Sequence, residues 1–375
     1  MPWKAVSVMS LRKEFVTLAE VNIMSFTELC RRFDISRKTG YKWLKRYRQE
    51  GEAGLGDRSR RPHRIARQVS ASMEQEILKL RKSRYWGARK IHKRLQVLGR
   101  PAVPAASTIT AVLHRHRMID PDVPGGRKDW QRFERSAPND LWQTDFKAPV
   151  QSLGGQVQPL TVLDDHSRYS LCVRALESQQ TAPVQDAFTE TFRLYGLPNA
   201  MLMDNGSPWG GAERRPFTAF TVWLIRLGIQ VSHSRPNHPQ TLGKEERFHR
   251  TLEQELISRH QWRDTVHLQT AFDKWREQYN FERPHDSLDL EVPASRYQPS
   301  LRTFSGHLPP IEYPDAFHVR KVQDDGSIFF RGRVFKVSKA FHRYRVGLRP
   351  TRIDGTFEVM FCQQRIATID LTTDT

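Results

Sequence analysis

Apolar positions recur at helical spacing in the first third of the chain. They shift to short continuous runs in the middle and to strand-like stretches between turns at the end. Residues 24–50, MSFTELCRRFDISRKTGYKWLKRYRQE, place Phe26, Leu29 and Phe33 on one face of a short helix, and Ser25 with Glu28 is a capping-box signature. DIS turns the chain, and Ser36 can cap a second helix. In that helix Tyr41, Leu44 and Tyr47 point inward, while Arg37, Lys38, Lys42, Lys45 and Arg46 point out. This is a helix-turn-helix pattern with a basic outer face. A Gly-, Pro- and Arg-rich linker follows. Periodicity resumes over 73–119 in EQEILKLRKS, WGARKIHKRLQVLG and PAASTITAVLHRHRMI, with Ser107 a candidate cap. These read as a second helix-turn-helix in which Trp86, Ile91, Leu95, Ile109, Val112 and Leu113 form the core. The breaker-rich stretch 120–140 marks a boundary.

From residue 141 the period changes. LWQTDFKAPV and QPLTVLDDHSRYSLCVRAL read as three strands, the first two paired antiparallel. TAPVQDAFTETFRLYG is an amphipathic helix, NAMLMDNG a fourth strand ending at Asp204, FTAFTVWLIRLG a helix, IQVSHSRP a fifth strand, and 239–259 a long helix. Strands first, then strands alternating with helices, predict a mixed sheet with helices on its faces. The tail, 315–375, strings short strands between DDG, RG and DG turns and predicts a small β-barrel.

Composition narrows the partners. Lys and Arg number 60 against 41 Asp and Glu, a net charge of +19, which points to nucleic acid. No apolar run is long enough to span a membrane, and no signal peptide is evident, so a membrane partner is not expected. Cys30, Cys172 and Cys362 form neither a disulfide framework nor a zinc pattern, which fits a reducing, cytoplasmic setting.

Acids inside so basic a chain need a reason, because carboxylates repel the phosphates that basic surface attracts. Asp145 lies within the first strand, where an unpaired charge is costly. Asp204 ends the fourth strand, where sheets of this kind bind ligands, although DNG is also ordinary turn chemistry. Glu245 and Glu246 stand together in GKEERF. Such a cluster suits Mg²⁺, which takes carboxylate oxygens and keeps water or phosphate oxygens as its remaining ligands. Two ions of this type clamp an in-line displacement at phosphorus.

WQTDF, MDNGSPW, HPQTLGKEERFHRTL and YNFERPHDSL together resemble the catalytic core of bacterial insertion-sequence transposases of the retroviral-integrase superfamily, which carry an Asp-Asp-Glu (DDE) triad. The resemblance covers nearly the whole chain. It implies a multidomain α/β protein: a helix-turn-helix domain (1–53), a basic linker (54–70), a second helix-turn-helix (71–120), a linker (121–136), an RNase H-like mixed-sheet core (137–300) and an SH3-like β-barrel (315–375). Asp145 and Asp204 correspond to the first two triad acids. Glu246 corresponds to the third, because the family pattern Gly-Lys-x-Glu-Arg is matched by Gly243, Lys244, Glu246 and Arg247. The family usually has an apolar residue at x, where this chain has Glu245. At about 100° per residue, Phe248, Leu252 and Leu256 set a core stripe with Glu245 near its middle and Glu246 on its flank. Glu245 stays as the alternative.

The GGAERRP stretch looks like an insertion between the second and third acids. Asp164 and Asp165 of LDDHSRY are given a structural or substrate-side place. Gly243 marks either a close approach of backbone or DNA, or a late helix start. Asn205 is a candidate for orienting the site. The resemblance further implies DNA cleavage and joining that depend on Mg²⁺, with Mn²⁺ able to substitute and two ions in use. Asp145, Asp204 and Glu246 would be the metal ligands. Lys244, Arg247 and Arg250 would hold phosphates near the reacting bond, and Arg37, Lys38, Lys42 and Lys45 would read terminal inverted repeats. A homodimer or larger assembly on element and target DNA, at the bacterial nucleoid, completes the expectation. The competing classes are a metal-dependent nuclease that cuts without joining and a DNA-binding regulator with an inactive core.

Overall fold

The computed structural model describes residues 7–59, 69–119, 134–210, 216–234 and 243–372. Much of both expected linkers, residues 211–215 of the insertion and residues 239–242 of the expected long helix lie outside the described residues. The chain divides into two compact units, one ending at Gln68 and the other beginning at Val69.

The first unit packs α1 (Val8–Val21), α2 (Phe26–Arg32) and α3 (Arg37–Glu50) around Phe15, Leu29, Cys30, Trp43 and Leu55. Serine hydroxyls cap all three helices: Ser7 accepts from the Ser10 amide at 3.1 Å, Ser25 from Glu28 at 3.3 Å and Ser36 from Thr39 at 3.2 Å. Helix α1 has no clear announcement in the periodicity, because Val8, Met9 and Leu11 stay exposed and only Phe15 and Val16 are buried. A Cβ at Gly40 would sit 2.8 Å from Cys30 Sγ and 2.9 Å from the Phe15 ring, so glycine lets α3 press against its neighbours. The inward face of α3 is Gly40, Trp43 and Leu44. Tyr41 is therefore corrected to the outside: it is 52% exposed and stacks on Phe26 with ring centroids 4.2 Å apart. Burying the wide Trp43 indole turns Tyr41 away from the core.

The second unit begins with α4 (Ala71–Arg84), α5 (Ala88–Val97) and α6 (Ala106–Arg115), packed on Ile77, Trp86, Ile91, Leu95, Ile109 and Leu113. Ala105 is the N-cap of α6, so Ser107 lies inside the helix and does not cap it. This module is held by charge to the end of α10 (Thr265–Phe281) and the loop beyond it. Arg84 and Arg94 share Glu282 at 3.0 and 3.1 Å, Lys90 binds Asp286, and Lys93 reaches Glu291 at 2.7 Å.

The sheet holds β1 (Leu141–Phe146), β2 (Val150–Ser152), β3 (Gly155–Asp164), β4 (Ser170–Leu176), β5 (Ala200–Met203) and β6 (Gln230–His233). Its order is β2-β3-β1-β5-β6, with β4 on β3. Short connections join the antiparallel strands. Helices α7 (Thr181–Tyr195) and α8 (Ala219–Arg226) supply the crossovers that bring β5 and β6 parallel to β1. Successive side chains face opposite layers. Val162 and Cys172 pack with Phe188, Phe192 and Phe220, while Leu163 and Val173 pack with Phe248 and Leu252 of α9 (Gly243–Glu255) and Phe272 of α10. Among the described residues α9 begins at Gly243, where a Cβ would meet nothing within 4 Å.

The C-terminal strands are β7 (His318–Lys321), β8 (Ser327–Phe330), β9 (Arg333–Lys336), β10 (Arg345–Pro350), β11 (Thr356–Phe361) and β12 (Gln364–Asp370). They form an open sheet, β12-β11-β10-β7, and a separate β8-β9 hairpin, so the expected closed SH3-like barrel is corrected to an open arrangement. Their apolar side is covered by the core of the six-stranded sheet: Phe341 meets Phe217 at 5.0 Å and Phe361 at 4.8 Å. Gln364 also donates to Val231 O and accepts from Val231 N, both at 2.8 Å, along the outer edge of β6. No helix among the described residues is long and apolar enough to cross a membrane.

Candidate active site

Because β1 and β5 run parallel, their C-terminal ends lie side by side. Asp145 is the penultimate residue of β1, and Asp204 directly follows β5. Open sheets bind ligands at this end of their strands. Burial raises Asp145 to about 6, with the Asp204 charge adding to the rise and the Phe146 N–H opposing it. That N–H donates to Asp145 Oδ1 at 2.8 Å.

Asp204 is held by the turn that follows it. Its Oδ1 accepts from the Gly206 amide at 2.9 Å, and a Cβ on Gly206 would come within 3.0 Å of Oδ2. His233 Nδ1 lies 2.7 Å from the Asp204 carbonyl oxygen, and Asn205 Nδ2 donates to Ser234 O at 3.0 Å. Trp209, at the end of the same turn, stacks on Phe146 with centroids 5.4 Å apart. The segment bearing the second acid is thereby fixed to the strand bearing the first.

Asp145 pairs across the ladder with Thr161, and both face α9. The Thr161 hydroxyl is 3.1 Å from Asp145 O, 3.0 Å from Glu245 Oε2 and 2.8 Å from His249 Nε2. A hydroxyl has one proton to give, so the three neighbours cannot all be acceptors. Glu245 is 0% exposed, and burial, reinforced by the Asp145 charge, raises its carboxyl well above the usual range. Its Oε1 is buried without a hydrogen-bond partner. Burial, then the Lys147 charge, lowers His249 to about 4, which leaves a neutral imidazole between the two acids.

Glu246 lies one residue, and roughly 100° of helix rotation, away from Glu245. Its side chain is 65% exposed and pairs with Arg250 at 3.0 Å. The structure thus brings Asp145 towards Asp204 and Glu245, and turns Glu246 outward from the same helix. Among the described residues no three of His, Cys, Asp and Glu form a ready-made metal cluster. Asp145, raised in part by the Asp204 charge, and Asp204 itself offer hard carboxylate oxygens at one end of the sheet, a donor set that fits Mg²⁺ or Mn²⁺.

The basic residues divide. Arg247 and Arg250 are exposed on α9, and Arg37, Lys38, Lys42 and Lys45 are exposed on α3. The Lys244 ammonium is instead engaged by the buried Asp165. Asp165 also accepts from Gln143 Nε2 at 2.7 Å and from the Arg135 amide at 2.8 Å. Asp164 accepts from the Asn139 amide and from both the amide and hydroxyl of Ser167. LDDHSRY is therefore a structural knot. YNFERPH serves a similar purpose: Asn280 exchanges two hydrogen bonds with the Ser170 backbone at 2.8 and 2.9 Å, and Arg283 pairs with Glu255 at 2.8 Å. The site neighbours missed from the sequence are Thr161, His249 and Trp209. The His249 position could have been found, since it lies one helical turn after Glu245.

Family models match in chain order. A helix-turn-helix domain covers 11–63 and a homeodomain-like domain 39–113. Integrase core domains cover 135–239 and 227–293, and the C-terminal domain of the IS481 family transposases covers 317–375. An uncharacterized 31.7 kDa protein of insertion element IS407, from Burkholderia multivorans, is 25% identical over 158 residues, which is 42% of this chain and 55% of that protein. An uncharacterized 39.2 kDa protein of insertion element IS476, from Xanthomonas euvesicatoria, is 26% identical over 168 residues, 45% of this chain and 46% of that one. The chain thus spans about half the length of the curated relatives it matches. Among solved structures, the HTLV-2 integrase catalytic core domain in complex with magnesium aligns at 17% identity and a TM-score of 0.34, over 44% of this chain and 99% of that one. A simian T-cell lymphotropic virus intasome in complex with PP2A regulatory subunit B56 gamma aligns at 13% identity and a TM-score of 0.40, over 79% of this chain and 96% of that one. The ordered matches to helix-turn-helix, integrase-core and IS481 C-terminal models, together with the insertion-element relatives, support a bacterial insertion-sequence transposase with an integrase core.

Proposed function

We propose that the protein is a DNA transposase that cuts at the ends of its element and joins them to a target. The observation that carries this reading is the pair Asp145 and Asp204 at adjacent strand ends, held close enough for one charge to raise the other in a chain of net charge +19. Water attacks phosphorus at the element end, the P–O3′ bond breaks, and a 3′ hydroxyl is left. That hydroxyl then attacks a target phosphorus and displaces the target's own 3′ oxygen. Mg²⁺ held by the acids would stabilise charge on the attacking and leaving oxygens.

Asp145 and Asp204 serve as ligands, and Asp145, raised only to about 6, is mostly ionised at neutral pH. Glu246 is proposed as the third acid. Its one described ion pair, to Arg250, is an exposed i,i+4 contact worth about 0.3–0.5 kcal/mol, so swinging inward costs little. Glu245, fully buried, lacks the access that the water and phosphate ligands of Mg²⁺ require, and it supports Asp145 through Thr161. Arg247 and Arg250 hold phosphates, and the outer face of α3 binds the inverted repeats. Bringing two ends together calls for a dimer or larger assembly on DNA.

The test uses duplexes carrying the inverted repeats that flank the coding sequence, with Mg²⁺ or Mn²⁺. A 3′ nick and a joined product are expected, and both are lost in Asp145→Asn and Asp204→Asn while DNA binding persists. Cutting with no joining, even from a pre-cut end, supports a nuclease. Binding with neither step supports a regulator.

A further inference from the structure

The cations of α5 do not all wait for DNA. Lys90 and Arg94 on α5, with Arg84 at the end of α4, are spent on Glu282 and Asp286, at and beyond the end of α10. Lys93 adds a pair to Glu291. These acids are offered by the chain itself, so the cations are paired without any phosphate. The pairs share partners and are partly buried, so they act as a network and exceed isolated surface pairs in strength. On α6, Ser107, Ala111 and His114 remain exposed. In a helix-turn-helix the second helix of the pair enters the major groove. The α6 face is small and polar enough to lie against base edges, in a module matched by a homeodomain-like model and in a strongly basic chain.

We propose that this module is a fixed arm on the catalytic core. Helix α6 reads a sequence inside the element end, and the ionic clamp sets the distance from that sequence to the phosphodiester cut at Asp145 and Asp204. The proposal rests on the transposase reading above. It assigns the Glu282 and Asp286 carboxylates a positioning role, since they touch neither substrate nor metal. The α5 cations then do not exchange the core for phosphates when DNA binds.

The experiment inserts five or ten base pairs, about half and one helical turn, between the footprint of α6 and the original end of the duplex. Cleavage is mapped to the nucleotide with the full chain. For the wild type the cut is expected to move inward by the inserted length, keeping a constant distance from the footprint. In the Glu282→Lys/Asp286→Lys variant the cuts should spread over several positions. Adding Lys90→Asp and Arg94→Glu should restore a single cut, which separates loss of the clamp from loss of folding. A wild-type cut that stays at the original end for every insertion overturns the fixed arm and leaves the transposase reading standing. So does a double variant that folds and still cuts at one position. A wild type that binds every duplex and cuts none overturns the transposase reading, and the arm with it.

Discussion

Replacing Asp145 with asparagine should stabilise the metal-free protein while abolishing its chemistry. Burial and the Asp204 charge raise the Asp145 carboxyl from 3.8 to about 6. The folded chain therefore holds this proton more tightly than the unfolded chain. The stability linked to it is fully present below pH 3.8 and is lost as pH rises through about 6. At 1.36 kcal/mol per unit, the shift corresponds to a penalty of about 3 kcal/mol for the ionised fold at neutral pH. Asparagine carries no charge, keeps an oxygen for the Phe146 amide and occupies nearly the same volume. Urea unfolding, followed by fluorescence of the buried Trp142 and Trp209, should give equal stabilities near pH 4. Above pH 6 the variant should lead by about 1–3 kcal/mol. Added Mg²⁺ or Mn²⁺ should close the gap by stabilising only the wild type. A gap that does not change with pH, or a variant weaker at neutral pH, would refute the electrostatic account of this strand end.

The other predictions concern roles that are physically separable. Glu246→Gln should lower cleavage by about 10³-fold or more, the several kcal/mol that a metal clamp contributes, whereas Glu245→Gln should retain most activity. The opposite order in a metal-dependent cleavage assay would make Glu245 the third acid. Trp209→Ala should cost about 3–5 kcal/mol in an unfolding titration, because a fully buried indole is lost, and should weaken the stabilisation given by Mg²⁺. Lys45→Ala should reduce the slope of log K against log salt by about 1 on any duplex. Tyr41→Ala should leave that slope unchanged and reduce the preference for the inverted repeat over random DNA. Equal losses on both duplexes would remove Tyr41 from sequence reading.

What the sequence disclosed depended on the range of the interaction. The Ser25 and Ser36 caps rest on contacts three residues apart, so they were legible. Helical phase placed Glu245 on the buried stripe of α9, where the structure has it beside Phe248 and Leu252. The same reasoning misjudged Tyr41, because a seven-residue partner helix and a glycine at 40 decide which side of α3 is inside. Helix α1 escaped because half of its apolar residues, Val8, Met9, Leu11 and Val21, face outward. The engagement of Lys244 by Asp165, 79 residues away, and of Asn280 by Ser170, 110 residues away, has no local signature. Turn residues revealed the terminal strands, but not that the core would cover their apolar side and leave the ladder open.

The fork from Gln364 to Val231 has a bearing on damaged copies of the gene. An uncovered strand edge is a template on which further chains stack. A frameshift before residue 364 would strip the amide from β6 and leave that edge bare. The truncated product would then expose a pairing edge to further copies of itself, so this one amide doubles as a guard against aggregation.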